Sequence, residues 1–288
     1  MSFSLISGYM LLFYTQYVGI SLIDYGFIIL LTKVWDDIND PIMGAIIDRT
    51  RPNKKGDKFK QWIRWGSIPL SVGGALVFFD SSTWSYGGKI AACIIFYLIF
   101  DVAYTIVNVP YGSLNSVITS NSVERSQLSL YRGIGALLAY APIAAIVPTL
   151  VYRSEMVEGK NVSIFQGSRM WTIALAMGII ALIAFQIMVA LTTERIKHKA
   201  ESQEKFNYLK TLKSFVTNRS ILAVSLGAFI QLTFILSTGS TMPLIYQMYF
   251  GDGKLSSLSV FTALLPTLVI APFVTPLVRK FGKKNLSS

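Results

Sequence analysis

Charge is what this sequence has least of. Only 14% of its 288 residues are Asp, Glu, Lys or Arg, against 52% hydrophobic side chains, and its mean hydropathy is +0.52. A soluble domain carries nearer a quarter charged residues, so a water-exposed globule is excluded as the main architecture. Cysteine is almost absent. Cys93 stands alone, so no intramolecular disulfide can form and the redox compartment goes unmarked. Histidine is as scarce: His198 has no second histidine to share a metal with. Neither HExxH nor GxSxG occurs, which leaves an intramembrane enzyme without recognisable machinery. The N-terminus, M-S-F-S-L-I-S-G-Y-M, has no basic region and no small-residue cleavage site, and does not read as a signal peptide.

What the chain has instead is long apolar runs. Stretches of about 20 residues, each enough to cross a bilayer, recur along its length. They read as Phe3–Ser21, Tyr25–Asp48, Trp62–Phe79, Lys89–Tyr111, Gln127–Tyr152, Met170–Leu191, Ser220–Phe250 and Leu255–Val278. The first is short. The fifth is expected to bend at Pro142 and the seventh to break at Pro243. Asp24–Tyr25, Asp80–Gly88, Arg153–Ser168 and Gly251–Lys254 read as polar turns or loops. Asn121, with Glu124 three residues on, resembles a capping box. The hydrophilic connector Thr192–Arg219 carries Phe206, Leu209, Leu212, Phe215 and Val216 at helical spacing among lysines. It reads either as an amphipathic helix on the membrane surface or as a solvated linker.

The net charge of +11 does not point to nucleic acid, because of where the charges lie. Nineteen of the 26 basic residues follow spans two, four, six and eight, and five occupy the opposite loops. The positive-inside rule places the even loops and the N-terminus in the cytoplasm. No aromatic interleaving of a single-strand binder accompanies the basic residues.

Against this apolar background, the second span stands out. Lys33, Asp36, Asp37 and Asp40 fall within eight residues. At about 100° per residue they share, with Gly44, one arc roughly 100° wide. Ile28, Ile29, Leu31, Val34, Trp35, Ile38, Ile42 and Ile46 take the other faces. A charge facing lipid costs about 2.5–3.5 kcal/mol on insertion scales, so the seam is expected to face protein or a watery cavity. The bland alternative is a structural seam in which Lys33 closes onto Asp37. One lysine, however, cannot neutralise three carboxylates. The fourth span carries a second polar arc: Asp101, Tyr104, Thr105 and Asn108. It reads as a cavity face binding hydroxyl groups, with Tyr104 or Tyr111 stacking on a ring. The alternative ties Asp101 to a neighbouring helix and leaves the tyrosines to packing.

W-D-D-I-N-D-P-I-M-G-A-I-I-D-R-T-R (Trp35–Arg51), followed by G-D-K-F-K-Q-W (Gly56–Trp62), resembles the signature of the glycoside–pentoside–hexuronide:cation symporters. These are relatives of the melibiose carrier within the major facilitator superfamily. A second block, A-Y-T-I-V-N-V-P-Y-G-S-L-N-S (Ala103–Ser116), is similar to the fourth-helix motif of that family. The resemblance covers essentially the whole chain. It implies an all-α membrane protein of the major facilitator fold, with about eight of an expected twelve transmembrane helices present. Residues 1–192 would form the N-terminal six-helix bundle with its first helix clipped. Residues 193–219 would be the cytoplasmic connector, and 220–288 the first two helices of the C-terminal bundle.

The resemblance further implies a coupling-cation site at Asp36, Asn39, Asp40 and Thr105, with Na⁺ a candidate occupant of Asp36, Asn39 and Asp40. Carboxylate and amide oxygens suit a hard cation, and an Asp can instead carry a proton. Arg132, in L-Y-R-G, matches a family arginine that faces the sugar. With Asp101, Tyr104, Asn108 and Tyr111 it makes up the expected substrate face. Asn108 stands where the melibiose carrier has a carboxylate, and Gly112 where that carrier has an aromatic. N-V-P-Y-G looks more like the xyloside and glucuronide branch. The basic loop departs from the family at Asp57, which looks inserted, and at Gln61, where a proline is usual.

The implied function is symport of a sugar or glycoside with Na⁺ or H⁺ by alternating access, in a bacterial plasma membrane. No cofactor, nucleic acid or defined protein partner is implied beyond sugar, coupling ion and lipid. Two rivals stand beside it. One is a channel, which would not need three acids on one helix beside a sugar-type aromatic face. The other is a truncated, non-transporting remnant of such a carrier.

Overall fold

The computed structural model describes residues 2–53, 56–157, 160–196, 217–257 and 269. Helix α1 (Ser2–Leu12) widens into a π-turn, Phe13–Val18, and is followed by α2 (Leu22–Arg49), α3 (Phe59–Leu76) and α4 (Tyr86–Ile118). Next come α5 (Ser122–Val151), the strands β1 (Tyr152–Val157) and β2 (Lys160–Phe165), α6 (Met170–Leu191) and α7 (Arg219–Met248). Tyr86–Ile118, Glu124–Val151 and Gly167–Leu191 are long and apolar enough to cross a membrane. Helix α1, at 11 residues, is short for that task, and α2 carries the charged seam. The expected eighth span lies mostly outside the described residues. So do His198 and the connector positions Phe206, Leu209, Leu212, Phe215 and Val216.

The helix starts explain why the turns are shorter than the sequence reading expects. Asp24 is no turn residue. The Asp24 N–H donates to the Ser21 hydroxyl, which caps α2, and that hydroxyl donates back to the Asp24 carboxylate. A hydroxyl cap satisfies a donor that the first helical turn leaves free. The Tyr86 hydroxyl donates to Asp24 and accepts the Ser21 N–H, so the starts of α2 and α4 are joined. At α5 the expected capping box becomes a relay. The Asn121 N–H donates to the Thr119 hydroxyl, and that hydroxyl donates to Glu124. Helix α7 runs through Pro243 without a break. Neighbouring helices and side chains re-satisfy the backbone around an intramembrane proline.

One stretch expected as a loop is ordered: β1 and β2 pair antiparallel from Tyr152↔Phe165 to Val157↔Lys160. Tyr152 and Phe165 are buried while Met156 and Ile164 are exposed. By register Tyr152, Ser154, Ser163 and Phe165 share one face while Arg153 pairs with Ile164 on the other, so both faces mix polar and apolar residues and a polarity count reads the stretch as a loop.

The bundle is built around α3, which packs along α4 and α6. A Cβ on Gly73 would sit 2.9 Å from the Phe100 backbone, and one on Gly178 would sit 3.0 Å from the Ser71 carbonyl. Small residues permit this closeness, which drives helix association in lipid through packing rather than the hydrophobic effect. Polar groups sit in the same contact: Ser71 donates to the Gly178 carbonyl (2.9 Å), and Gln186 to the Arg64 carbonyl (2.9 Å) and the Ser67 hydroxyl (3.0 Å).

The ends of the bundle are pinned separately. At one end Tyr17 donates to Asp80 (2.8 Å) and Lys89 to the Val18 carbonyl (2.7 Å), where the chain leaves α1 through Gly19 at φ 81°. At the other, buried Glu194 accepts the backbone N–H groups of Lys58 (3.0 Å) and Lys60 (2.8 Å), capping α3 from beyond α6. The Arg195 and Ile196 N–H groups reach the Val117 carbonyl of α4 at the same end.

Candidate substrate and cation site

Helix α2 is divided lengthwise into three stripes. Ile28, Thr32, Asn39, Met43 and Ile47 are buried, and α2 packs against α4. Leu30, Val34, Ile38 and Ile42 are exposed, as a lipid-facing stripe requires. The charged arc runs between the two. Asp36 is half-buried, while Lys33, Asp37 and Asp40 are exposed.

The two helices meet at polar atoms. The Thr105 hydroxyl of α4 donates to the Asp40 carboxylate of α2 at 2.9 Å. Lys33 closes on Asp36 at 3.0 Å, one position short of the expected Asp37. Asp101 is 3% exposed and Asn39 is 6% exposed, yet Asp101 Oδ2 and Asn39 Nδ2 have no hydrogen-bond partner among the described residues. Buried polar atoms are nearly always partnered, and leaving one unpaired costs about 1–3 kcal/mol. Asp101 lies within electrostatic range of Asp36, Lys33 and Asp40.

Tyr97 completes this group. It is buried, one turn before Asp101 on the same face of α4, and interacts with Lys33. The sequence reading passes over it, although the spacing 97, 101, 105 and 108 would have found it. Asp40, Thr105, Asp36, Lys33, Asp101 and Tyr97 thus form one cluster between two helices. Among the described residues, no three His, Cys, Asp or Glu side chains are arranged to hold a metal ion. The cluster instead offers mixed carboxylate and hydroxyl donors.

The expected substrate face is graded along α4. Asp101 is buried, Tyr104 and Tyr111 are half-buried, and Asn108 is exposed. The Tyr104 ring is not free to stack on a ligand: Phe3 stacks on it at 5.3 Å and Phe100 at 5.9 Å. Tyr111 has the Arg132 guanidinium 4.6 Å from its ring centroid and Phe185 edge-on at 6.5 Å. Such a cation–π contact is worth about 0.5–1 kcal/mol when exposed. Arg132 on α5 also acts electrostatically on Tyr104, so α5 reaches toward both tyrosines. Polar groups for hydroxyls, a planar cation and aromatic walls are the usual equipment of a small polar-ligand site.

A family model described as MFS/sugar transport protein matches residues 1–287. The chain belongs to that family. Its mostly helical build and three membrane-length helices agree with an integral membrane protein of this MFS/sugar transport group. The chain is 30% identical over 287 residues to the glucuronide carrier protein homolog of Escherichia coli (strain K12), covering 99% of itself and 60% of that protein. To the isoprimeverose transporter of Lactiplantibacillus pentosus it is 29% identical over 287 residues, covering 99% of itself and 57% of that protein. To the inner membrane symporter YicJ of Escherichia coli (strain K12) it is 26% identical over 268 residues, 92% of the chain and 54% of that protein. The chain spans about 60% of the length of the curated relatives it matches. The glycoside-symporter resemblance carried by Trp35–Arg51 and Ala103–Ser116 agrees with these names.

Proposed function

We propose that this chain supplies the substrate and cation site of a sugar or glycoside symporter of the inner membrane, coupled to Na⁺ or H⁺ by alternating access. The observation that carries the reading is the cluster between α2 and α4. Thr105 bonds Asp40 across the two helices, beside a buried Asp101 with an unpartnered oxygen. Several carboxyls close together hold full charge only with a cation or a proton among them. Lys33 is one positive charge near Asp36, Asp40 and Asp101, so one further cation or proton has a place there.

In this reading Asp36, Asn39, Asp40 and Thr105 hold the coupling ion. Asp101, Asn108, Tyr111 and Arg132 line the sugar side, with Tyr104 as a packed wall behind them. Residues 1–192 act as one bundle, 193–219 as the cytoplasmic connector, and 220–288 as the opening pair of a second, within an eight-span chain. A xyloside or glucuronide suits Asn108 and Arg132, since a planar guanidinium binds carboxylate or hydroxyl oxygens in pairs.

Uptake of labelled glucuronide and xyloside by the purified full-length protein in proteoliposomes tests this. An inward Na⁺ or H⁺ gradient should drive accumulation. Uptake indifferent to both gradients would remove the coupling claim. The topology has its own test in a Cys93→Ser background. A cysteine at Lys55 should react with an impermeant maleimide only in inside-out vesicles, and one at Ser82 only in right-side-out ones. Labelling of Lys55→Cys in sealed cells would reverse the orientation.

A further inference from the structure

A second group of polar side chains gathers away from the α2–α4 cluster, where α5 and α7 end. The hairpin register pairs Tyr152 with Phe165 and Ser154 with Ser163, so these four share one face. Tyr152 and Ser163 are each 3% exposed, yet the Tyr152 hydroxyl has no hydrogen-bond partner among the described residues. This face lies against the turn that follows α7. A Cβ on Gly253 would come within 2.7 Å of the Tyr152 ring. Gly251, at φ 71°, reverses the chain there. Asp252 Oδ1 accepts the Lys254 N–H at 2.9 Å and the Ser163 hydroxyl at 3.2 Å.

Face and turn leave a polar cavity of about 220 Å³ between them, lined by Ser154, Ser163, Phe250, Gly251 and Asp252. Drug-sized sites occupy about 300–1,000 Å³, so this one suits a smaller ligand, such as a single sugar ring. Its wall chemistry fits that size. Asp252 Oδ2 has no partner among the described residues and is left to accept. Lys254 Nζ, 3.4 Å from the Ser154 hydroxyl, supplies a donor at the rim. The Phe250 ring leans on Tyr246 and Tyr249 but is still 57% exposed. A pyranose carries hydroxyls around its edge and C–H bonds on its faces, and so uses a carboxylate, hydroxyls and an aromatic ring together. An apolar ligand would strand the two serines, at the cost of unpaired polar groups. An anion would meet the Asp252 carboxylate.

We propose that this cavity is a second sugar site, separate from the α2–α4 cluster, which takes one neutral pyranose ring of a glycoside. That its ligand is a sugar rests on the symport reading; the cavity and its lining rest on geometry. Asp252 accepts the ring hydroxyls, Ser154 and Ser163 bond its edge, and Phe250 covers one face. The site stands at the end of the bundle that the charge pattern puts outside, where it holds arriving sugar close to the bundle.

The test is photolabelling of the full-length protein in detergent with a xyloside carrying a diazirine on its aglycone, followed by mapping of the labelled peptides. Label should appear within residues 152–165 and 250–256, and excess methyl xyloside should displace it. Asp252→Asn keeps an oxygen for Ser163 and Lys254 while removing the charge. It should weaken this labelling about tenfold, or 1.4 kcal/mol, as befits a lost charge-assisted bond. Phe250→Ala should weaken it as well, through the aromatic face alone. Asn108→Ala with Arg132→Ala, at the other site, should leave it intact. Displaceable label confined to α4 and α5 would overturn the second site, and so would outer label that methyl xyloside does not displace. The absence of displaceable label anywhere would overturn the symport reading along with it.

Discussion

Helix α4 has two working contacts, and they are made differently. Against α3 it offers Phe100, whose backbone lies against Gly73. Against α2 it offers Tyr97, Asp101 and Thr105 to a helix with four ionisable side chains in eight residues. The first contact has its backbones as close as glycine allows, and the unpartnered buried atom on α3 among the described residues is the neutral Trp62 Nε1. The second is left with unpartnered atoms on Asn39 and Asp101. The first is built to stay as it is. The second has chemistry left over, and that difference separates scaffold from site more sharply than burial does.

Filling the tight contact should do the most damage. Gly73→Val places methyl groups where the Phe100 backbone lies, and overpacking of this kind costs about 1–3 kcal/mol. Thermal unfolding in detergent should shift down by several degrees. The ratio of ion to sugar in whatever protein folds should stay the same. A coupling ratio altered by Gly73→Val would mean that the two contacts are not separate.

Next in size, the acids of the α2 seam should divide unequally. Asp36→Asn removes the Lys33 partner seen at 3.0 Å, whereas Asp37→Asn removes an exposed carboxylate outside that pair. Gradient-driven uptake should therefore suffer more from the first. Equal effects would make the seam a general counter-charge.

A smaller effect is expected at Arg132. Arg132→Ala gives up the contact over Tyr111, about 0.5–1 kcal/mol, together with any bond to the sugar. The half-saturating sugar concentration should rise severalfold at an unchanged coupling ratio, and Arg132→Lys should restore only part of it. Unaltered sugar dependence would confine Arg132 to packing.

The smallest effect lies outside the membrane. Hydrogen bonds from Ser21 and Tyr86 hold the Asp24 carboxyl below its ordinary range, and bonds from Ser82 and Tyr17 do the same for Asp80. A carboxylate with a depressed folded-state pKa adds stability above its unfolded value, about 3.9, and loses it as pH falls through the folded one. Asp80 is exposed and Asp24 half-buried, so solvent screens much of the effect. Tyr86→Phe should lower stability slightly near pH 7, where the depressed carboxyl contributes in full, and raise the acid-unfolding midpoint slightly. A midpoint that does not move would leave Asp24 a helix cap alone.

Most of the helices were legible in the sequence, because runs of 20 apolar residues have few other uses. Met170–Leu191 is the same stretch by pattern and by structure. The charged seam was legible for a related reason: ionisable groups on an apolar helix are expensive and so stand out. What was not legible depended on partners from distant sequence. Asp24 looked like a turn until Tyr86 was beside it. The hairpin looked like a loop because its strands mix polar and apolar residues on both faces. Tyr104 looked ready to stack on a sugar, and only the fold shows Phe3 and Phe100 already there. Tyr97 was hidden among aromatics that pack, and Lys33 is what marks it.

The central claim is that the α2–α4 contact carries the coupling ion while the sugar is held beside it. Asp40→Asn tests this most directly, because it keeps the shape of the Asp40–Thr105 contact and removes the charge. In proteoliposomes the variant should still exchange labelled glucuronide or xyloside down its own gradient. Accumulation under an inward Na⁺ or H⁺ gradient should fall about tenfold or more, the share that 1.4 kcal/mol of driving force represents. Accumulation by Asp40→Asn equal to that of the unaltered protein would contradict the account and return the seam to structure.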